Sequence, residues 1–323
     1  MEIALLVAAC LLALVYGSNA GATIAATSVL VHGARPWAAV AVLGAALVLA
    51  PVVLGTAVAT TVAHDLVPSD GGADTGRAVF LGAVVAALVV TTVLSRCRQP
   101  TSLTLALVAG IAGAALGAGQ EVAWASLLRV LGLIAVAPLA GAALARVLHG
   151  ATRRWQVPIA ALPRWHAVSY CVLCLAFGGN DAQKILAVVA VASAPVAAAV
   201  EVVAWQLVVC ATLFSAGAAL GLSRMERTVN RGVVAAQGLD TVITQTSTAV
   251  VMLLSSRAGS PVGMAQTLSG SLVGAGIARG RGKIRWEHVA RIALAWVLTV
   301  PAAVVVGIGA ARLTTVLAGV SDG

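Results

Sequence analysis

The sequence predicts an all-α polytopic membrane protein, with about ten transmembrane segments in two inverted five-segment repeats that contain broken helices. Composition is the first observation behind this prediction. The chain has 323 residues, of which 60% are apolar and only 10% are charged, and its mean hydropathy is +1.02. A soluble domain carries about a quarter charged residues, so a soluble globular enzyme is excluded. At about 20 apolar residues per crossing, roughly ten helices account for most of the chain.

Apolar runs bounded by charged and turn residues define the segments. The first run imitates a signal peptide, but Glu2 stands where basic residues would precede a cleavage site, so we expect the first helix to be retained. The ten predicted segments cover residues 2–31, 37–63, 77–95, 101–119, 122–148, 167–192, 196–220, 233–256, 262–278 and 288–312.

Basic residues alternate between loops, which is the second observation. Loops after odd-numbered segments hold 14 Lys and Arg residues, whereas the opposite side holds three, namely Arg77, Arg257 and Arg312. The positive-inside rule gives this distribution for ten crossings with both termini outside. The formal charge of +9 is therefore a topology signal and not a nucleic-acid surface. We expect an integral protein of the cytoplasmic membrane whose surroundings are the lipid bilayer, with no nucleic-acid partner.

An internal repeat with an offset of 161 residues is the third observation. Each half then contains five crossings, and an odd number inserts the second half upside down relative to the first. We therefore predict a first inverted repeat over residues 1–148, a basic cytoplasmic linker over 149–166, and a second inverted repeat over 167–323. The distinctive matches are Gly17 with Gly178, Asn19 with Asn180, Pro100 with Pro261, Leu107 with Leu268, and Gly113 with Gly274.

Glycine and asparagine interrupt the first and sixth segments near their middles, at residues 17–19 and 178–180. Pro100 and Pro261 open the fourth and ninth segments in the same way. Lipid cannot replace lost backbone hydrogen bonds, so a broken helix is tolerated only where it lines a cavity or binds a ligand. The pattern predicts a substrate site near the midplane where the broken helices meet.

These interruptions resemble the motifs of the inorganic phosphate transporter (PiT) family, which includes sulfate permeases. That family carries G-A-N-D-x-x-N and a later P-V-S-T-T-H-A-L-x-G in each half. Residues 17–23 (GSNAGAT) and 178–184 (GGNDAQK) resemble the first motif. Residues 100–107 (PTSLTLAL) and 261–270 (PVGMAQTLSG) resemble the second. The resemblance spans nearly the whole chain and implies a secondary transporter, or symporter, of inorganic phosphate that works by alternating access.

The resemblance also implies which residues bind the anion and which hold a coupling cation, sodium or a proton. A helix N-terminus attracts an oxyanion, and Asn, Ser and Thr add hydrogen bonds at little charge cost. No tightly bound cofactor and no metal site are expected. The predicted anion contacts are Ser18, Asn19, Thr101, Ser102, Thr104, Gly179, Asn180 and Gly263. The predicted coupling and charge-balancing residues are Asp181, Lys184, Thr23 and Gln245.

Asp181 and Lys184 are the most informative residues, because a charge at bilayer depth costs roughly 2.5–3.5 kcal/mol and needs a partner or a function. At a spacing of three they share a helix face. Ala20 stands where the family pattern has an Asp, and Lys184 where it has an Asn. The fixed charge of these three positions is zero. We hypothesise that the Lys184 ammonium acts as a tethered cation, so that transport depends only weakly on sodium.

Several alternatives stay open at this stage. The same machinery would suit sulfate or another small oxyanion. A protein of another class, a non-transporting membrane subunit that senses phosphate, would explain the altered motifs at Ala20 and at residues 263–265. A second copy of the chain, forming a homodimer, is a further expected partner, although nothing in the sequence marks its interface. An intramembrane enzyme is disfavoured, because no paired carboxylates and no Ser–His pair lie within the segments.

Overall fold

A computed structural model describes residues 1–29, 35–67, 72–96, 101–155, 158–193, 200, 203–230, 238–280 and 284–317. All regular structure in these ranges is helical, which confirms the predicted all-α class. The α-helices are α1 (Glu2–Tyr16), α2 (Ala22–Val29), α3 (Pro36–Leu54), α4 (Ala57–Thr60), α5 (Gly72–Arg96), α6 (Leu103–Gly117), α7 (Trp124–Trp155), α8 (Leu162–Phe177), α9 (Gln183–Ser193), α10 (Ala204–Asn230), α11 (Gly238–Arg257), α12 (Met264–Arg279) and α13 (Trp286–Leu317). Three π-helical turns (Gly17–Gly21, Thr61–Asp65 and Gly178–Ala182) and a 3₁₀ turn (Ile159–Ala161) complete them.

Within the described ranges, seven helical stretches are long and apolar enough to cross a membrane. They establish an integral membrane protein and lie in the predicted segments 1, 2, 3, 5, 6, 7 and 10. Helices α6, α11 and α12 lie in the other three segments. Helix α6 is apolar but short, and α11 carries buried polar side chains such as Asp240 and Gln245. A helix surrounded by protein need not be apolar all round, so the count of ten crossings stays a prediction.

The first and sixth segments are not broken where the sequence predicted it. Helix α1 passes through the π-helical turn Gly17–Gly21 into α2, and α8 passes through Gly178–Ala182 into α9. The backbone stays helical there, with φ −57° and ψ −49° at Gly17. A π turn adds a residue while keeping the backbone hydrogen-bonded, so the chain shifts its side chains without a break. The prediction of broken helices at these two positions is therefore wrong.

Two interruptions of the helical backbone lie elsewhere. Helix α3 ends at Gly55, whose φ of +79° favours glycine, and α4 begins two residues later. A second non-helical stretch precedes α12, where residues 260–263 are buried and Pro261 lies three residues before the helix begins. Pro100, its predicted counterpart, falls outside the described residues.

Glycines hold two pairs of helices at very close range. A Cβ placed on Gly113 of α6 would lie 2.3 Å from the carbonyl oxygen of Val304 in α13. A Cβ on Gly274 of α12 would lie 2.1 Å from the carbonyl oxygen of Ala142 in α7. Small residues permit such contact between membrane helices, which associate through van der Waals packing. Helix α6 therefore packs on α13, and α12 packs on α7.

The π-helical turns Gly17–Gly21 and Gly178–Ala182 each pack against a helix from the other half of the chain. A Cβ on Gly17 would lie 2.0 Å from the carbonyl oxygen of Phe214 in α10. A Cβ on Gly178 would lie 2.8 Å from the carbonyl oxygen of Ala46 in α3. These crossings bring residues at the end of α1 and in the π turn Gly178–Ala182 into the interior, where the buried polar groups lie.

Candidate functional site

A cluster of four polar side chains lies in the interior, each from a different part of the fold. Tyr16 ends α1, Thr104 lies in the first turn of α6, Asp181 lies in the π turn Gly178–Ala182, and Lys184 lies in the first turn of α9. All four are at most 2% exposed. The structure therefore confirms that the two charges meet each other and adds two hydroxyl groups to them.

The Lys184 ammonium has three oxygen neighbours. Its Nζ donates to Thr104 Oγ1 at 2.9 Å and to the carbonyl oxygen of Val262 at 2.6 Å, and it forms an ion pair with Asp181 Oδ1. An ammonium carries three N–H donors and no acceptor. Each donor is matched by one of these oxygens, which offsets the cost of burying the charge.

The Asp181 carboxylate is also fully engaged. Its Oδ1 accepts from Lys184 and lies 3.2 Å from both the Tyr16 and the Thr104 hydroxyl oxygens, which are 2.8 Å from each other. Its Oδ2 accepts from the backbone N–H of Met264 at 3.0 Å. Met264 is the first residue of α12, so Asp181 places a negative charge at the N-terminus of that helix, where the dipole favours it.

Asn180 fixes the non-helical stretch before α12. Its Nδ2 donates to the carbonyl oxygen of Ser260 at 3.0 Å, and its Oδ1 accepts from the N–H of Val262 at 3.0 Å. The side chain has no exposed surface. One amide thus satisfies two buried backbone groups that the interruption leaves unpaired, and it positions the Val262 carbonyl that faces Lys184.

The N-termini of α6 and α12 meet beside this cluster. Ser102 caps α6 by accepting from the N–H of Leu105 at 3.3 Å, and its hydroxyl donates to Gln266 Oε1 at 3.2 Å in the first turn of α12. A Cβ on Gly263, the N-cap of α12, would lie 3.3 Å from Ser102 Oγ. The first N–H groups of a helix lack intrahelical partners and carry partial positive charge. Two such ends at one buried place favour an anion.

The predicted residues in the N-terminal copy of the first motif, Ser18, Asn19 and Thr23, form no hydrogen bond to the charged cluster. Ser18 Oγ and Asn19 Nδ2 both donate to the carbonyl oxygen of Val15, at 3.0 and 3.3 Å. Thr23 Oγ1 donates to the carbonyl oxygen of Asn19 at 2.6 Å. These side chains are half-buried and bond within their own helix, so the structure does not join Asn19 to Asn180 by a hydrogen bond.

The remaining predicted residues occupy separate positions. Gln245 accepts from Ser169 Oγ at 2.7 Å and donates to Thr27 Oγ1 at 3.0 Å, which ties α11 to α8 and α2. Gly179 faces α3, because a Cβ there would lie 2.5 Å from Leu54 Cδ1. Thr101 is half-buried just before α6. Gln245 thus braces the helices around the site without touching Asp181 or Lys184.

Sequence reasoning missed three polar residues that the structure places at or near the site. Tyr16 directly precedes the first motif, and Gln266 lies inside the second copy of the later motif. Gln183 donates to the carbonyl oxygen of Gly55 at 2.7 Å and accepts from the N–H of Ala59 at 3.0 Å, closing the interruption between α3 and α4. A polar side chain in an apolar segment is the signal that would have indicated all three.

No group of three or more His, Cys, Asp and Glu residues is arranged to hold a metal ion in the part of the chain that the structure describes. The polar groups at the site are hydroxyls, amides, backbone groups and one ion pair. Such an arrangement suits reversible binding of a small ion rather than covalent chemistry.

Known proteins show strong similarity to this chain. A probable low-affinity inorganic phosphate transporter of Mycobacterium leprae (strain TN) is 32% identical over 271 residues, which are 79% of this chain and 64% of that protein. One of Mycobacterium bovis (strain ATCC BAA-935 / AF2122/97) is 31% identical over 299 residues, 87% of this chain and 70% of the relative. One of Bacillus subtilis (strain 168) is 23% identical over 326 residues and covers 94% of each chain.

A solved structure described as the sodium-dependent phosphate transporter has the same fold, with a TM-score of 0.85 over 98% of this chain and 99% of that one, at 17% identity. The model of the phosphate transporter family matches residues 16–168 and 160–307. This match confirms the resemblance seen in the motifs. The chain therefore belongs to the phosphate transporter family, a family of membrane transporters and not of enzymes.

Proposed function

We propose that this chain is a permease that moves inorganic phosphate across the cytoplasmic membrane by alternating access. The observation that carries the proposal is the meeting of the α6 and α12 N-termini at Ser102, Gly263 and Gln266, in the buried centre of a membrane protein. The names of the relatives, which are phosphate transporters, support phosphate as the anion. A tetrahedral oxyanion fits donors that converge from two helix ends.

Two inverted halves, residues 1–148 and 167–323 joined by the basic linker 149–166, would supply the alternating motion. The glycine contacts support this relation. Gly113 faces the carbonyl oxygen of Val304, and Gly274 faces that of Ala142. The offset of 161 relates Gly113 to Gly274, and it relates Ala142 to the residue next to Val304, so the two contacts are equivalent. The offset also carries Ser102 onto Gly263, and equivalent residues that touch each other lie on the axis between the halves. Inverted repeats place their substrate site at such an interface.

Within this site, we assign the anion contacts first to Ser102, Thr101 and the backbone N–H of Gly263, since the N–H groups of Val262 and Met264 already bond to Asn180 and Asp181. Ser18, Asn19 and Gly179 remain proposed anion contacts. The hydrogen bonds of Ser18 and Asn19 lie within their own helix, so a change of rotamer would free both side chains for the anion. Thr104 and Asn180 act indirectly, because their side chains already hold the charged cluster and the stretch before α12.

Counterflow in proteoliposomes tests the function. Vesicles loaded with unlabelled phosphate should accumulate labelled phosphate, and external phosphate and arsenate should compete better than sulfate, at two pH values. Sulfate competing equally well would indicate a general oxyanion permease. Saturable phosphate binding without counterflow would contradict transport and favour the phosphate-sensing subunit.

Ser102→Ala provides the matched site variant. It removes a hydroxyl that caps α6 and faces Gln266, and a hydrogen bond to a charged ligand contributes about 1.5–3 kcal/mol. We expect KM for phosphate to rise at least several-fold. Ser255→Ala is the control, because Ser255 Oγ bonds to the carbonyl oxygen of Val251 in its own helix. Equal KM values in the two variants would contradict the assigned anion site.

A further inference from the structure

The oxygen atoms around Lys184 have the composition of a binding site for a monovalent metal cation. Nζ contacts a carboxylate oxygen of Asp181, the hydroxyl of Thr104 and the carbonyl oxygen of Val262. The Tyr16 hydroxyl oxygen lies beside this set, 2.8 Å from the Thr104 hydroxyl oxygen. Carboxylate, hydroxyl and carbonyl oxygens are the ligands that hard cations prefer. Carbonyls of non-helical backbone also bind sodium in transporters.

Lys184 acts here as a cation and not as a ligand for the anion. Its three N–H donors are matched by three protein acceptors, so no donor remains for phosphate. The side chain has no exposed surface, and the ion pair with Asp181 leaves the cluster neutral. An ammonium in this position supplies one positive charge to a set of oxygens, as a bound sodium ion would.

The cluster is not repeated at the positions that the offset of 161 relates to it. The offset of 161 carries Asp181 onto Ala20, Lys184 onto Thr23, and Thr104 onto Ala265. The carboxylate and the hydroxyl of the oxygen cluster are thus replaced by methyl groups at the equivalent positions. The chain therefore has one carboxylate and one built-in cation at these related positions.

We propose that the oxygen cluster of Asp181, Thr104 and Val262 is a monovalent-cation site that the Lys184 ammonium fills permanently, and that removal of this ammonium opens it to sodium. The wild-type protein then binds no sodium at this position, and its transport does not require sodium there. The transport part of this inference rests on the proposed function, whereas the binding part does not.

Sodium binding to the purified protein, measured without phosphate, is the decisive experiment. The Lys184→Ala variant has room for an ion beside Asp181, so its Tm should rise by several degrees when sodium chloride replaces choline chloride at equal ionic strength. Wild-type protein should show no such rise. A ligand that binds only the folded state stabilises it by an amount that grows with the logarithm of its concentration above Kd, which makes the shift a measure of binding.

The double variant Lys184→Ala/Asp181→Asn is the matched control, because it has the same vacated space without the carboxylate. It should show no sodium-dependent shift. The double variant also separates a specific site from a general salt effect. If Lys184→Ala folds only with sodium, recovery of monodisperse Lys184→Ala protein in sodium but not in choline is itself the expected result.

Uptake of labelled phosphate gives the second readout. Wild-type uptake should change less than twofold between sodium and choline media, whereas Lys184→Ala uptake should fall in choline and recover several-fold in sodium. A sodium-dependent Tm shift in the wild type, or a folded Lys184→Ala protein that no sodium concentration stabilises, would overturn the proposal. Absence of phosphate uptake in every protein, with the Tm results as expected, would instead contradict the proposed function alone.

Discussion

Asn19 and Asn180 occupy equivalent positions in the two halves and do different work. Asn180 forms two bonds across 80 or more residues of sequence, to Ser260 and Val262, whereas Asn19 bonds four residues back in its own helix. The difference follows from burial, because Asn180 is fully enclosed and its polar atoms must all find partners within the protein. The same residue type in the same motif therefore supports two distinct predictions.

Replacement of Asn180 by Ala should destabilise the protein by about 2–6 kcal/mol. It leaves a buried N–H and a buried carbonyl unpaired, at about 1–3 kcal/mol each. Thermal unfolding of the purified protein measures the effect. Asn19→Ala is the control and should cost less than about 1 kcal/mol, because only one local bond is lost. Equal losses of stability would show that the bonds of Asn180 to the stretch before α12 contribute little.

At the residue scale, the sequence predicted the pairing of Asp181 with Lys184 but not its surroundings. A spacing of three on one helix places two side chains on one face whatever the rest of the fold does. Thr104 and Tyr16, which lie 77 and 165 residues from Asp181, join the pair only because α6 and α1 pack beside the π turn. Long-range partners of this kind leave no local spacing in the sequence.

Among the elements, the α7–α12 and α6–α13 contacts depend on glycine. These helices approach until a single methyl group would overlap a backbone oxygen of the neighbour. Backbone cannot move aside as a flexible side chain can, so the whole helix would have to shift. Gly274 belongs to the same helix whose N-terminus we assign to the anion, so a shift of α12 against α7 should reach the site.

Gly274→Ala should therefore destabilise the protein by about 1–3 kcal/mol, the usual cost of overpacking, and it should also raise KM for phosphate. Thermal unfolding and uptake kinetics measure the two effects. Gly132→Ala in α7 is the matched control, because a Cβ there meets no atom within 4 Å. Alanine is the better helix former, so this control should be neutral or slightly stabilising. A loss of stability as large as that of Gly274→Ala would refute the argument from close contact.

Predictability also differed among elements. Apolar length placed the helices close to their observed bounds, as with the predicted segment 262–278 and the observed α12 (Met264–Arg279). The π-helical turns at Gly17–Gly21 and Gly178–Ala182 were predicted as breaks. Glycine and asparagine weaken a regular helix in either case, and whether the backbone breaks or widens depends on the hydrogen bonds and neighbours available in three dimensions.

For the whole molecule, the distribution of basic residues predicts the orientation in the membrane. The linker end of α7 should lie in the cytoplasm, and the turn between α6 and α7 should lie outside. Gly150 lies near the linker end of α7, Glu121 lies in the turn between α6 and α7, and both residues are exposed. In a background without the five native cysteines, Glu121→Cys should react with a membrane-impermeant maleimide on intact cells.

Gly150→Cys should react only after the cells are permeabilised. A Cβ at Gly150 meets no atom within 4 Å, so the substitution itself should not disturb the fold. Labelling of both cysteines from the same side would contradict the predicted topology and with it the inverted relation of the two halves. Labelling of each from the side opposite to the one expected would leave the inverted halves intact and reverse only the orientation.

Composition, apolar length and motifs were enough to predict an α-helical membrane protein, the approximate positions of its helices and its family. These properties follow from composition, apolar length and short motifs, all of which are local. The oxygens around Lys184, the helix ends that meet at Ser102 and Gly263, and the π turns at the two Gly-Asn motifs became visible only in the folded chain. Such features depend on contacts between distant helices, and those contacts are set by packing in three dimensions, which no local pattern encodes.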